Sequence, residues 1–163
     1  MSNLNSTKPN SSKPNEEQTP RVSIITQYIK DLSIENPEAP ASIAKLSGTP
    51  SVDLALDLDV VRLKESSSTY EVVLKIEATA KHEAMVLFVF ELEYAGIFEL
   101  ENIPEDQIEP VLAVHCPNMI FPFARRIVSD ITGETGFQPL RIDPVDFGRL
   151  YQSKLDKKLH PQA

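Results

Sequence analysis

The amino-acid sequence predicts an α+β protein: a four-stranded antiparallel sheet with one long and one or two shorter helices packed on one face. Three observations carry this. Between Arg21 and Tyr94, four segments alternate apolar and polar residues, the period of a strand with one buried side. The links joining the second, third and fourth segments are short, which makes those segments antiparallel neighbours. From Asn118 the period changes. Ile120, Phe123, Ala124, Ile127, Val128 and Ile131 fall at i, i+3, i+4, i+7, i+8 and i+11, a continuous apolar stripe on a helix.

Residues 1–20 are mostly Asn, Ser, Thr, Pro, Lys and Glu, which bury too little apolar area to offset their ordering entropy; a disordered tail is expected. A single folded unit is expected over 21–157, followed by a flexible tail at 158–163. In the first strand, from Arg21 to Glu35, Val22, Ile24, Tyr28, Leu32 and Ile34 share one parity, with irregularity near Ile25 and Ile29. Asn36-Pro37-Glu38-Ala39-Pro40 ends it, because proline lacks a ladder donor and restrains its predecessor, and the loop is expected to continue through Pro50. In the second strand Leu54, Leu56, Leu58 and Val60 point inward and Asp53, Asp57 and Asp59 outward. A turn at 64–68 leads to the third strand, about Thr69 to Ala80, with Tyr70, Val72, Leu74, Ile76 and Ala78 inward. Lys81-His82-Glu83 turns into the fourth, which carries Val86, Phe88, Phe90, Leu92 and Tyr94 on one side. Its other side begins apolar, as a strand covered on both faces does. Ala95-Gly96 and Ile97 to Leu100 are expected to lead out of the sheet.

Pro104-Glu105-Asp106 opens a short helix, with proline early and acids near the positive end of the helix dipole. Cys116-Pro117-Asn118 is read as a break, with Asn118 capping the long helix and Gly133 and Gly136 ending it. After an extended stretch at 137–142, Asp143-Pro144 signals a last helix whose apolar positions are Phe147, Leu150, Tyr151 and Leu155.

Composition narrows the function. A formal net charge of −8 argues against nucleic acid or an anionic membrane surface as the main partner, both of which reward basic surfaces, and no direct membrane insertion is expected. The longest apolar run, Ala84 to Phe90, is far short of the roughly 20 residues that span a bilayer, and no secretory signal is readable. A single cysteine excludes an intrachain disulfide and fits a reducing compartment, so a cytoplasmic protein is expected. His115 and Cys116 are adjacent, but neighbours on a helix point about 100° apart and no third group orients them. His82, His115 and His160 lack metal-ligand spacing. No phosphate-binding or nucleophile motif is present, so no catalytic residue, metal or cofactor is assigned. Binding remains. Asp31, Glu35, Glu91 and Glu93 make an acidic outer sheet face, which also reads simply as a solubilising surface. Ile97, Phe98, Phe121, Phe123 and Phe137 read equally as core or as groove lining.

IENPEAP (Ile34 to Pro40), TYEVVLKIEATA (Thr69 to Ala80), AGIFEL (Ala95 to Leu100), HCPNMIFPFAR (His115 to Arg125) and PLRIDPVDFGRLY (Pro139 to Tyr151) together resemble the SecB family of bacterial protein-export chaperones, over about Val22 to Leu155. The resemblance implies sheets joined through edge strands into dimers, and dimers packed through the long helix into a homotetramer, with Ile120, Phe123, Ile127 and Ile131 at the oligomer interface. It implies a nucleotide-independent holdase that keeps unfolded precursor polypeptides from folding or aggregating and passes them to the translocation ATPase SecA. Asp31, Ser33, Glu35, Val89 and Glu91 would dock SecA, whose small basic zinc-bearing tail brings its own metal. Ile43, Leu46, Phe98, Phe121, Phe147, Leu150 and Tyr151 would line the client groove. Many members carry a tryptophan in the crossover loop, where this chain has Leu46 and Ser47, and many end in an acidic tail, where this chain is basic. A competing expectation is a carrier of a lipid-like small molecule, held in a cavity between sheet and helices.

Overall fold

The computed structural model describes residues 19–65 and 67–159. Strands β1 (Arg21–Glu35), β2 (Ser51–Arg62), β3 (Thr69–His82) and β4 (Met85–Glu101) form one antiparallel sheet in the order β1-β4-β3-β2. Helices α1 (Ala41–Lys45), α2 (Glu105–Pro110), α3 (Cys116–Gly133) and α4 (Phe147–Leu159) complete the fold, with a π-helical turn, Val111–His115, between α2 and α3. α3 packs across β4 and β3. The core is the layer between them: Val72, Leu74, Ile76, Phe90, Leu92 and Phe98 from the sheet against Cys116, Ile120, Ala124 and Val128 from α3. The expected α+β architecture is therefore present.

Several local expectations change. β1 carries two bulges on β4, at Ile25 and at Lys30, where the register shifts between Ile24 and Thr26 and again between Ile29 and Asp31. Each bulge inserts one residue and inverts side-chain parity, and the second inversion cancels the first. Between them Gln27 and Ile29 take the helix side and Tyr28 turns to the outer face, opposite to its expected side. β4 does not leave the sheet at Ala95-Gly96 but continues to Glu101. Gly96 is a point of close approach: a Cβ there would lie 2.7 Å from Phe98 Cε2 and 3.1 Å from Ile120 Cγ2. The glycine admits α3 onto the strand without breaking it.

The Cys116-Pro117-Asn118 break is also absent. The helical path runs from Glu105 to Gly133, and α3 begins at Cys116 with no side-chain cap. The π turn explains this. Its wider ring lets the Cys116 N–H reach Val111 O, and the proline, which has no N–H to offer, is taken up in the first turn of α3. Finally, α4 starts three residues later than expected. Asp146 Oδ1, not Asp143, accepts the Arg149 N–H at 2.9 Å. α4 also runs past the expected boundary at Lys157 to Leu159.

The β1–β2 crossover contains the short α1, where a plain loop was expected. Asn36 Nδ2 donates to Thr135 O at 2.8 Å, tying this crossover to the end of α3. Thr132 Oγ1 holds the same corner, donating to Val128 O at 2.7 Å and accepting the Leu140 N–H at 2.8 Å. The expected N-terminal tail lies, apart from Thr19 and Pro20, outside the described residues, as do residues 160–163.

Candidate functional site

The sheet separates two surfaces of different chemistry. On the outer face, register places Glu35 opposite Val89, Ser33 opposite Glu91 and Asp31 opposite Glu93, in three adjoining rows. Asp31, Ser33, Glu35, Val89 and Glu91, the set implied by the family resemblance, thus form one patch across β1 and β4. β3 extends it: Glu77 stands directly opposite Glu91. Like charges facing each other across a ladder are destabilising, and this pair stands unrelieved among the described residues. Glu77 was legible as outward-facing but not as part of the patch, because parity gives the side of a strand and not its neighbour.

Asp53, Asp59, Glu71 and Glu93, also on the outer face, are neutralised. Lys75 Nζ lies 2.6 Å from Asp59 Oδ2 and 3.7 Å from Glu93 Oε1, and Lys81 Nζ lies 3.2 Å from Asp53 Oδ2. Glu71, only 8% exposed, accepts a bond from the Tyr28 hydroxyl and two from Lys30 Nζ, at 3.1 Å and 2.9 Å. The Tyr28 bond, then Lys30, hold the Glu71 carboxyl below its ordinary range, and burial opposes them. The Tyr28 hydroxyl is pushed up to about 12, first by that bond and then by burial. Lys30 and Tyr28 can reach Glu71 because the two bulges aim them outward.

The long helix divides its stripe. Ile120, Ala124 and Val128 are fully buried on the protein's own sheet, while Phe123 is 49% exposed and Ile127 and Ile131 are half-buried. Of the four residues assigned to an oligomer interface, Ile120 is thus committed to the core and the other three lie on the flank and outer side. Of the seven assigned to a client groove, Phe98, Phe121 and Phe147 are buried. Phe121 and Phe147 meet edge to face with centroids 5.7 Å apart. Ile43 and Leu150 are exposed, and Leu46 and Tyr151 half-buried.

The helix side of the sheet holds an apolar hollow of about 570 Å³ between β2–β3, α2 with the π turn, and α4. Leu58, Val60 and Tyr70 line it from the sheet, Ile108 and Leu112 from the helical run, and Tyr151 and Leu155 from α4. A smaller hollow of about 60 Å³ beside it takes in Phe147, Leu150 and Tyr151. Val52, Leu54 and Val60, on the inner side of β2, stay exposed because the helices do not reach the sheet edge. The inward run Leu54 to Val60 signalled an apolar strand; that it outreaches its helical cover depends on the π turn and on α4. Cys116 is fully buried, and burial pushes its thiol up to about 12, so it is no thiolate nucleophile. Among the described residues no cluster of His, Cys, Asp or Glu could hold a metal, and no helix is long and apolar enough to cross a membrane.

The fold and its two surfaces define the class: an α+β sheet-and-helix module built around binding faces. The family model for the preprotein translocase subunit SecB matches residues 15–158. The protein-export protein SecB of Rickettsia akari (strain Hartford) is 54% identical over 141 residues, covering 86% of this chain and 92% of that protein. Its counterpart from Rickettsia felis is 53% identical over the same shares. The chain belongs to the SecB family of protein-export chaperones. Among solved structures, the Mycobacterium tuberculosis Rv1957 SecB-like chaperone, bound to a ChAD peptide from the Rv1956 HigA1 antitoxin, has the same fold, with a TM-score of 0.63. It covers 77% of this chain and 91% of its own at 18% identity.

Proposed function

We propose that this chain is an ATP-independent holdase of the bacterial cytoplasm that binds unfolded precursor polypeptides and delivers them to SecA. The observation that carries the reading is the separation of its surfaces. Apolar area for a client lies on the helix side and along the sheet edges, and the unrelieved acids Asp31, Glu35, Glu77 and Glu91 lie on the opposite side. A client and a basic docking partner therefore do not compete for one surface. Uncompensated acids in adjoining rows raise the local potential that attracts a small basic domain.

The protein acts as a homotetramer in this reading. The unpaired edges of β1 and β2 extend the sheet, and Phe123, with Ile127 and Ile131, meets a second dimer. A tetramer multiplies weak client contacts along one unfolded chain through effective concentration. A lipid-like carrier is disfavoured, because the hollow between sheet and helices is lined by Glu105, Glu109, Arg62, Lys154 and Lys158 as well as by apolar groups.

Two measurements test the proposal. The purified protein should suppress aggregation of a denatured secretory precursor without nucleotide; failure to do so overturns the holdase reading. Asp31→Lys with Glu91→Lys should weaken binding to SecA by at least tenfold while leaving aggregation suppression intact. Unchanged binding would remove the acidic patch from the docking role.

A further inference from the structure

The lining of the 570 Å³ hollow is sorted by charge. Glu105 and Glu109, one helical turn apart, line it from α2, and Lys154 and Lys158 line it from α4, with Leu58, Val60 and Tyr70 between them on the sheet. Some of the charge is already committed. Lys154 Nζ is 2.8 Å from Asp57 Oδ1. The Arg62 guanidinium sits 5.7 Å from the Tyr70 ring centroid, and its Nε donates to Ser67 O at 2.8 Å. Among the described residues Glu105, Glu109 and Lys158 have no ion-pair partner. Glu105 lies in the first turn of α2, where the helix dipole favours an acid, but Glu109 lies beyond it and repels Glu105 at i, i+4, so its placement at the lip of the hollow finds no such reward.

Resting on the holdase reading, we infer that this hollow is a charge-reading seat. It takes an extended polypeptide segment whose apolar side chains rest on Leu58, Val60 and Tyr70, whose cationic side chain meets Glu105 and Glu109, and whose anionic side chain meets Lys158. The apolar contacts supply affinity. The charges select among apolar segments, favouring those with opposite signs on the two sides of the apolar centre. Segments with like charges on both sides always leave one lip of the hollow facing its own sign.

The test uses the full-length protein and four fluorescent peptides with one apolar centre, flanked by Lys and Glu, Glu and Lys, Lys and Lys, or Glu and Glu, with an uncharged fifth. The better of the two mixed orders should bind about threefold to tenfold tighter than either like-charge peptide at low salt, the size expected of partly exposed ion pairs. That advantage should vanish at high salt and in the triple variant Glu105→Gln, Glu109→Gln, Lys158→Gln. Equal binding of all five peptides overturns the inference, as does a ranking that survives in the triple variant. A denatured precursor is measured in the same samples. If it binds while the peptides show no ranking, charge reading fails and the holdase reading stands; if it does not bind, the holdase reading fails first.

Discussion

At the scale of single residues, the Tyr28–Lys30–Glu71 cluster is the most consequential polar contact on the outer face. Glu71 is nearly buried and keeps its charge through its two partners. Its carboxyl titrates below its unfolded value, so its stabilising contribution is complete above the unfolded pKa and is lost as pH falls through the lower, folded one. Urea midpoints measured from neutral pH downward should show a smaller acid loss in Glu71→Gln than in the parent chain. Tyr28 runs the other way. Its raised pKa stabilises the fold below about 10, and this is lost as pH rises through about 12. Tyr28→Phe should cost about 0.5–1.5 kcal/mol at neutral pH, read from the same urea curves. It should also remove a late-titrating phenol from the ultraviolet pH titration. Cys116 gives a third residue-scale expectation: at pH 8 its thiol should stay inert to a disulfide reagent in the native protein and react at once in denaturant.

Among the elements, the contact between β4 and α3 is the most sensitive to change. Gly96→Ala places a methyl against Phe98 and Ile120, both fully buried, so the relief must come from moving the helix or the strand. The expected loss is about 1–3 kcal/mol, visible as a lowered melting temperature with secondary structure retained. The strands were legible because period-two alternation is a local property: the inward sets of β2 and β3 stand as read, residue for residue. What was not legible were contacts that local pattern does not encode. Ala95-Gly96 has the composition of a strand exit, and only the arrival of Ile120 from α3 shows why a glycine sits inside β4. Cys116-Pro117-Asn118 has the composition of a break, and only the π turn upstream makes it continuous. Irregularity near Ile25 and Ile29 was visible in the alternation, yet only the register shows two bulges, the one at Ile25 turning Tyr28 outward and the one at Lys30 returning Leu32 and Ile34 to the helix side.

For the whole molecule, outward parity made Asp31, Glu35, Glu91 and Glu93 readable as one acidic face, and the five residues that the family resemblance implies for docking adjoin on it. The apolar hollow was not readable, because it is assembled from β2, β3, α2 and α4, and of the residues assigned to a client groove only Tyr151 lines it, while Phe98, Phe121 and Phe147 are buried. The proposed tetramer makes a separable prediction. Phe123→Glu, at an exposed site, should lower the mass seen by light scattering by about half while each chain stays folded, since one buried charge at a subunit contact costs more than the lost apolar area. An unchanged mass would remove α3 from the assembly.

The strand order also sets a sequence of events during folding. β2, β3 and β4 are joined by short turns and can zip as a meander, whereas β1 closes on β4 across on the order of 50–80 intervening residues. β1 is therefore expected to be the last strand added and the first to exchange its amides, which pulsed hydrogen exchange checks. Asp31, Ser33 and Glu35 ride on it, so a half-made chain already has apolar surface but only part of its acidic rows. If the acidic rows dock a basic partner as proposed, a chain whose sheet still lacks β1 is missing part of that surface, so docking waits on the last strand.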